Sequence, residues 1–206
     1  MKGIAKLGLV LAIFAAAACA SLAVVYAITK PQIEAQDQIA LTASLKEIFP
    51  EAVNFEDVTD KLVSKDANIK FLNAVLVKGE NAPIGVAVKA AGPSYGGQAT
   101  LLVGITLQRS IAGVRVLELK DTPGLGANAN NPGYFVKKAE KVTFPGQFTG
   151  KYLTDAFAVK EDVIAITAST ITSKSLTKII KTAGDSAAEW LETVTADTSA
   201  ETTGGK

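Results

Sequence analysis

The sequence contains no histidine and only one cysteine, Cys19, which lies inside a long apolar run. A single cysteine cannot form an internal disulfide, and it cannot supply the ligands of an iron–sulfur cluster or a haem attachment motif. Without histidine, neither a Ser-His nor a Cys-His catalytic pair is possible. The composition therefore excludes most metal-centred redox chemistry and most nucleophilic catalysis.

Two common binding motifs are also absent. No Gly-x-Gly-x-x-Gly follows a predicted strand, so a nicotinamide site of the Rossmann type has no support. No Asp-x-Asp-x-Asp-Gly run suggests a carboxylate metal site. The net charge is only +1, which argues against nucleic acid because that affinity comes mostly from clustered Lys and Arg. We interpret the small cluster at Lys137, Lys138 and Lys141 as a solvated surface or, at most, a patch near anionic lipid.

Residues 7–29 carry no charge and are long enough for a helix of roughly 20 apolar residues, the length that crosses a bilayer. Lys2 and Lys6 precede the run, so the positive-inside rule predicts a cytoplasmic N-terminus. A cleaved signal peptide is the alternative, but its apolar core is expected to be only about 7 to 15 residues long. A lipoprotein interpretation would rest on Cys19, and the apolar run continues well past it. We therefore expect a cytoplasmic stub and transmembrane helix over residues 1–29.

The rest of the chain is long enough for one domain with a real core. Helical spacing predicts a stalk over residues 30–50, ended by Pro50, and residues 195–206 are small and polar, which predicts a disordered tail. Between them, residues 51–194 predict a single α+β domain with an antiparallel sheet and flanking helices. Its predicted strands are 74–77, 84–88, 99–107, 111–119, 156–159 and 163–166, with turns at Gly92-Pro93 and Gly96-Gly97. Its predicted helices are 172–183 and 186–194, separated at Gly184.

The stretch from Thr167 to Ser175 crowds six hydroxyls and one amine onto a predicted strand-to-helix transition. A helix start leaves backbone N–H groups unpaired and carries the positive end of the helix dipole. Ser and Thr at that place either cap the helix or help to bind an anion such as phosphate. From the local pattern alone, both interpretations stay open.

Two segments resemble motifs of the FMN-binding domain family. Residues 166–176, Ile-Thr-Ala-Ser-Thr-Ile-Thr-Ser-Lys-Ser-Leu, resemble its flavinylation motif, Ser/Thr-Gly-Ala-Thr-x-Thr/Ser. Residues 121–126, Asp-Thr-Pro-Gly-Leu-Gly, resemble the loop that the family places beside the flavin ring, and Gly146-Gln147-Phe148 resembles its Gln-Phe turn. Ala168 stands where the family usually has Gly, Ser169 where it usually has Ala, and Ile164 where it favours Asp.

The resemblance implies that FMN is attached through its phosphate to the hydroxyl of Thr170. It implies that Thr167, Ser169 and Thr172 donate hydrogen bonds to the phosphate and that Lys174 supplies positive charge. In the loop, Gly124 and Gly126 would let the backbone approach the ring, and Leu125 would pack on its face. The cofactor-binding set is completed by Ala168, Ser173 and Thr122; no catalytic residue and no metal ligand is expected.

The single N-terminal span and the length further resemble the G subunits of Rnf-type ion-translocating electron-transport complexes. This implies an electron-transfer subunit with covalent FMN, partnered by the other membrane subunits, by membrane lipid and by a flavin transferase, with its FMN domain outside the cytoplasmic membrane. Two alternatives remain: a membrane-tethered, non-enzymatic binding or assembly module, and a flavinylated domain that serves an extracellular reductase.

Overall fold

The computed structural model describes residues 2–80 and 82–203. The chain divides into two compact units between Ala43 and Ser44, within the segment predicted as a stalk. The first unit belongs to α1, a helix that runs from Lys2 to Ile48 and is long and apolar enough to cross a membrane. Pro50 follows its end, as predicted.

The second unit contains a five-stranded antiparallel sheet in which each strand pairs with the next along the chain. The strands are β1 (Asn54–Asp57), β2 (Lys70–Lys78), β3 (Pro83–Pro93), β4 (Gln98–Thr106) and β5 (Ile111–Leu119). A two-stranded sheet follows, formed by β6 (Phe135–Lys137) and β7 (Val142–Thr143), and α2 (Thr170–Thr203) completes the domain. The predicted α+β fold with an antiparallel sheet is therefore confirmed.

The sheet has an apolar face covered by α2. Val86, Val88 and Ala90 of β3 alternate with residues that point to the opposite face, and they pair with Ile105, Val103 and Leu101 of β4. From α2, apolar residues at helical spacing are buried against this face: Leu176, Ile179, Ile180, Ala183, Ala187 and Leu191. This packing fixes the position of the first turn of α2 relative to the strands.

The opposite face of the sheet is lined by small residues beneath the end of α1. Gly104 of β4 pairs with Gly113 of β5. A side chain at Gly104 would overlap Ile48 and the ring of Phe49, and one at Gly85 would overlap the carbonyl of Ile105 and the Phe49 ring. Glycine therefore lets Ile48 and Phe49 lie directly on the backbone of the sheet.

Several local predictions are corrected by this packing. Gly92 and Pro93 belong to β3 rather than to a turn, because the missing side chain of Gly92 makes room for Ile179. Residues 156–159 and 163–166 are irregular segments on either side of a turn at residues 160–162, joined by one isolated bridge, Val159 to Val163, and they do not form two strands.

Helix α2 is one continuous helix, so the predicted break at Gly184 is wrong: the missing side chain of Gly184 accommodates Leu153. Helical backbone continues to Thr203, within the segment 195–206 whose disorder remains a prediction from the sequence. Once a helix is packed, each further residue adds a backbone hydrogen bond, so it can extend into a polar sequence. Residues 204–206 of that predicted tail lie outside the described residues.

Candidate functional site

The buried carboxylate of Asp121 joins three chain segments just beyond the end of β5. Its Oδ2 accepts hydrogen bonds from Ser94 Oγ at 2.7 Å and Thr172 Oγ1 at 2.5 Å, and its Oδ1 accepts one from Gly96 N at 2.7 Å. Burial alone would raise the pKa of Asp121, but these hydrogen bonds outweigh burial and lower the pKa below its usual value. At neutral pH an ionised carboxylate therefore ties the β3–β4 turn and the loop after β5 to the first turn of α2.

The two glycines of that loop have different structural roles. A side chain at Gly126 would lie 2.5 Å from Thr172 Oγ1 and 2.7 Å from Asp121 Oδ2, so glycine is needed for the loop to approach α2 this closely. Gly124 has a φ of +74°, a conformation that favours glycine, and open space surrounds the position of its missing side chain. Gly124 therefore shapes the turn, whereas Gly126 packs the loop onto the helix.

The residue just before the N-cap of helix α2, Ala168, has a left-handed backbone conformation. Ser169 is the N-cap, since its carbonyl accepts the first helical hydrogen bond, from Ser173 N at 3.0 Å. The preceding residue, Ala168, has a φ of +56°, in the left-handed region that glycine adopts without strain. The glycine that the family usually carries at this place therefore matches a conformation that the structure requires.

Two of the hydroxyls at the helix start are used inside the protein. Ser173 Oγ is fully buried; it donates to Ser169 O and accepts from Ile166 N, both at 2.9 Å. Thr172 Oγ1 donates its only hydrogen to Asp121. These side chains hold the segment in place. From the sequence, Thr172 was expected to donate its hydroxyl hydrogen to a phosphate, but in the structure that hydrogen is donated to Asp121 instead.

The segment that leads into the helix is held from the other side by Tyr134 and Gln147. Thr167 N donates to Tyr134 Oη at 3.1 Å, and Tyr134 Oη donates to Thr167 Oγ1 at the same distance. Gln147 Oε1 accepts from Ile164 N at 2.8 Å, and its Nε2 donates to Ile164 O at 3.1 Å. The Gln-Phe turn therefore supplies an amide that clamps the backbone three residues before Thr167.

A cleft of about 540 Å³ lies between the loop after β5 and the start of α2. It brings together the two segments singled out in the sequence, although they lie more than forty residues apart. Thr170, the first residue of α2, is half-buried in its wall. The residues that line the cleft are Tyr95, Thr122, Leu125, Gly126, Ala168, Ser169, Thr170, Ile171 and Thr172.

Lys174 is not among the lining residues of this cleft. It lines a second cavity, of about 460 Å³, together with the 156–159 segment, Lys178 and Lys181. Lys174 lies one helical turn, about 6 Å along the axis, beyond Thr170. The expected positive charge therefore lines a neighbouring cavity rather than the cleft, and Thr167, Ser173 and Gly124 are likewise not among the lining residues of the cleft.

Asp162, the nearest acid to the Ile164 position, has a structural role of its own. Its carboxylate accepts from Lys151 Nζ at 2.8 Å, Phe157 N at 3.0 Å and Ala158 N at 2.5 Å. Burial opposes ionisation, yet these partners lower the pKa of Asp162. Asp162 therefore stabilises the turn at Phe157, whose φ is +50°, rather than replacing the Asp that the family favours at residue 164.

Sequence reasoning missed five residues that shape the cleft: Tyr95, Asp121, Tyr134, Gln147 and Ile171. Asp121 heads the Asp-Thr-Pro-Gly-Leu-Gly motif and Gln147 opens the Gln-Phe turn, so both motifs carried a signal. Ile171 lies inside the 166–176 motif, so it too was within reach of sequence reasoning. Tyr95 and Tyr134 lie outside both motifs, and only the folded chain brings them beside the cleft.

The residues present fit FMN. The first helical hydrogen bond is donated by Ser173, so the N–H groups of Thr170 and Ile171 have no helical acceptor and are available to a phosphate. Exposed apolar side chains at the rim, Leu125, Ile171 and Tyr95, offer surfaces for a flat ring system. The cleft volume also lies within the range of small-molecule sites.

The fold, the apolar helix and the cleft define a membrane-anchored protein with an FMN-binding domain. Residues 94–185 match the family model of the FMN-binding domain, and residues 1–48 match that of the RnfG N-terminal region. The chain is 31% identical to the G subunit of the Na⁺-translocating ferredoxin:NAD⁺ oxidoreductase complex of Acetobacterium woodii, over 85% of this chain and 87% of that protein. It is 30% identical to the G subunit of the ion-translocating oxidoreductase complex of Methanosarcina acetivorans, over 89% and 94%. The chain therefore belongs to the family of G subunits of ion-translocating oxidoreductase complexes.

Proposed function

We propose that this chain is the electron-transferring G subunit of an Rnf-type complex and that it carries FMN as a phosphoester on the hydroxyl of Thr170. The observation that supports the attachment site is the position of Thr170. Thr170 is the first residue of α2, stands at the attachment position of the flavinylation motif, and is one of the hydroxyl-bearing residues that line the cleft, with Ser169 and Thr172. Its neighbours Thr172 and Ser173 have their hydroxyl hydrogens bonded within the protein.

Attachment requires a flavin transferase that uses FAD. The Thr170 Oγ–P bond forms, the pyrophosphate bond of FAD breaks, AMP leaves, and the hydroxyl proton passes to a base of the transferase. This chain contributes the acceptor hydroxyl and the N–H groups of Thr170 and Ile171, which would hold the phosphate. The loop of Thr122 and Leu125 forms the other wall of the cleft.

Bound FMN supplies the redox chemistry, accepting and donating electrons between partner subunits. The protein's own task is to hold and orient the cofactor, so no catalysis is expected from the isolated chain. By analogy with the Acetobacterium relative, whose name specifies ferredoxin, NAD⁺ and Na⁺, the complex would couple electron transfer between ferredoxin and NAD⁺ to movement of Na⁺ or H⁺. Its partners would be the other membrane subunits.

The orientation in the membrane follows from charge. Lys2 and Lys6 precede the apolar run, and the positive-inside rule places this end in the cytoplasm. The FMN domain then lies on the outer side of the cytoplasmic membrane, with α1 in contact with lipid. A covalent bond is functionally useful there because a freely exchanging cofactor would be lost from that compartment.

Mass spectrometry of the full chain made with and without a flavin transferase tests the proposal. The wild type should gain the mass of FMN less one water, on the peptide that contains Thr167 to Lys174. Thr170→Ala should abolish the gain, while Thr170→Ser, which keeps a hydroxyl, and Thr167→Ala, on the same peptide, should retain it. No gain in the wild type with an active transferase would overturn the proposal and favour a tethered binding module.

A further inference from the structure

The cleft is unusual for a phosphate site because none of its lining residues carries a charge. Phosphate sites that bind reversibly normally combine backbone N–H groups with Lys or Arg. Here Lys174, the nearest cation along the helix, lines the separate cavity beside residues 156–159. Among the residues that line the cleft, the groups that attract a phosphate are therefore the backbone N–H groups at the start of α2.

That backbone attraction is opposed by a buried negative charge. The start of a helix carries roughly half a positive elementary charge. The first turn of α2 contains no acidic residue of its own, but Asp121 reaches it from the loop after β5 and bonds to Thr172 Oγ1 at 2.5 Å. The Asp121 side chain is only 5% exposed, so water screens its charge poorly.

The carboxylate is also held firmly in place. Ser94 and Gly96 donate two further hydrogen bonds to it, and Gly126 packs against both Asp121 and Thr172. A phosphate that enters the cleft is therefore exposed to the field of a fixed anion, which lies behind Thr172 at the end of the helix that would otherwise attract the phosphate.

Building on the proposed covalent attachment, we infer that Asp121 makes this cleft a weak reversible phosphate site, so that retention of FMN depends on the bond to Thr170. Asp121 is thus a positioning residue with two effects. It joins the loop to the start of α2, which places Thr170 in the cleft, and it offsets the positive end of the helix. The helix start presents a hydroxyl for modification rather than a tight anion pocket.

Titration of the full chain, made without transferase and purified in detergent, tests this inference. Free FMN and riboflavin are compared by flavin fluorescence, because their affinity ratio isolates the phosphate from the ring. The wild type should bind FMN no more tightly than riboflavin. Asp121→Asn keeps the size of the side chain and removes its charge, and it should raise the ratio roughly tenfold, the scale of Coulomb energies over several ångströms near a protein surface.

Asp162→Asn is the matched control, because Asp162 is also a hydrogen-bonded acid of lowered pKa. Its partners are Lys151, Phe157 and Ala158 rather than a residue at the start of α2, so its ratio should equal that of the wild type. A second variant guards against misfolding of Asp121→Asn. Ile171→Lys adds a cation at an exposed position of the cleft wall and should also raise the ratio, whereas Ile171→Gln should not.

The inference is overturned if the wild type binds FMN much more tightly than riboflavin, or if folded Asp121→Asn leaves the ratio unchanged while Ile171→Lys, which shows that the assay detects charge at the cleft, raises it. Failure of the proposed function would have a different signature. The wild type would then acquire no flavin mass from an active transferase, whatever the affinity ratios.

Discussion

Replacing Ala168 by glycine should stabilise the protein, although the change removes a side chain. Ala168 has a φ of +56°, and a residue with a Cβ pays about 1–2 kcal/mol in this region. Glycine avoids that strain but makes the unfolded chain more flexible, which costs about 0.4–1 kcal/mol. The difference predicts a gain of about 0.5–1 kcal/mol in the free energy of unfolding.

For a domain of this size, such a gain corresponds to a rise of about 1–4 °C in Tm. Thermal unfolding of the full chain in mild detergent, followed by circular dichroism, measures it. Ala67→Gly is the matched control: Ala67 is also exposed, but it is not among the residues with positive φ. The control should lower the Tm slightly, because only the cost in the unfolded state applies.

The reasoning would be refuted if Ala168→Gly lowered the Tm, or if it shifted the Tm in the same direction and by the same amount as Ala67→Gly. Either result would mean that the left-handed conformation at the start of α2 stores no strain. Flavin attachment gives a second readout, because Ala168→Gly restores the residue that the family usually has and should leave attachment at Thr170 intact.

Three further outcomes follow from the structure. Gly104→Ala should lower the free energy of unfolding by about 1–3 kcal/mol, because the new Cβ would overlap Ile48. In Gly113→Ala the new Cβ would lie 3.3 Å from Ile48, so denaturant titrations should show a clearly smaller loss; equal losses would contradict the packing argument. The folded-state pKa of Asp121 is lowered, so the ionised carboxylate stabilises the folded protein above the unfolded pKa of about 3.9, and this stabilisation is lost as the pH falls through the lower folded value. In Asp121→Asn, the free energy of unfolding should therefore fall less steeply at acid pH than in the wild type. An unchanged dependence on pH would refute this. Gln147→Ala should reduce the fraction of chains flavinylated by a limiting amount of transferase, because it removes both hydrogen bonds that hold the backbone of Ile164. Gln147→Glu keeps only the oxygen that accepts from Ile164 N, so its flavinylated fraction should lie between those of Gln147→Ala and the wild type. A full yield in Gln147→Ala would show that these hydrogen bonds are not needed.

Sequence periodicity determined most of the architecture. The uncharged apolar run predicted the first helix, and β-branched segments separated by turn residues predicted the antiparallel strands; β5 was predicted with the bounds that the structure has. The first helix and the strands both depend on the pattern of residues that are close together along the chain, so they can be predicted from a single sequence. The two motifs likewise identified both walls of the cleft.

Predictions failed where packing overrode local preference. Gly92-Pro93 was expected to form a turn, and Gly184 was expected to break a helix. In the structure, Ile179 occupies the space beside Gly92 and Leu153 the space beside Gly184, so packing explains both glycines. Residues 156–166 have the composition of strands, but they form irregular segments and a turn stabilised by hydrogen bonds to Asp162. Composition does not reveal such contacts, because the partner lies elsewhere in the chain.

The sequence by itself determined that this protein has an apolar anchor, an antiparallel domain and a hydroxyl-rich helix start that resembles a flavin attachment motif. Only the tertiary structure decided what each of those hydroxyls does. Asp121 and Thr172 are 51 residues apart in the chain and 2.5 Å apart in the fold, so a carboxylate offsets the charge of the helix start and occupies one hydroxyl. Lys174, inside the same stretch of sequence, lines another cavity. Local pattern specifies which groups are near each other along a helix, whereas the sheet and its loops specify which charges surround them.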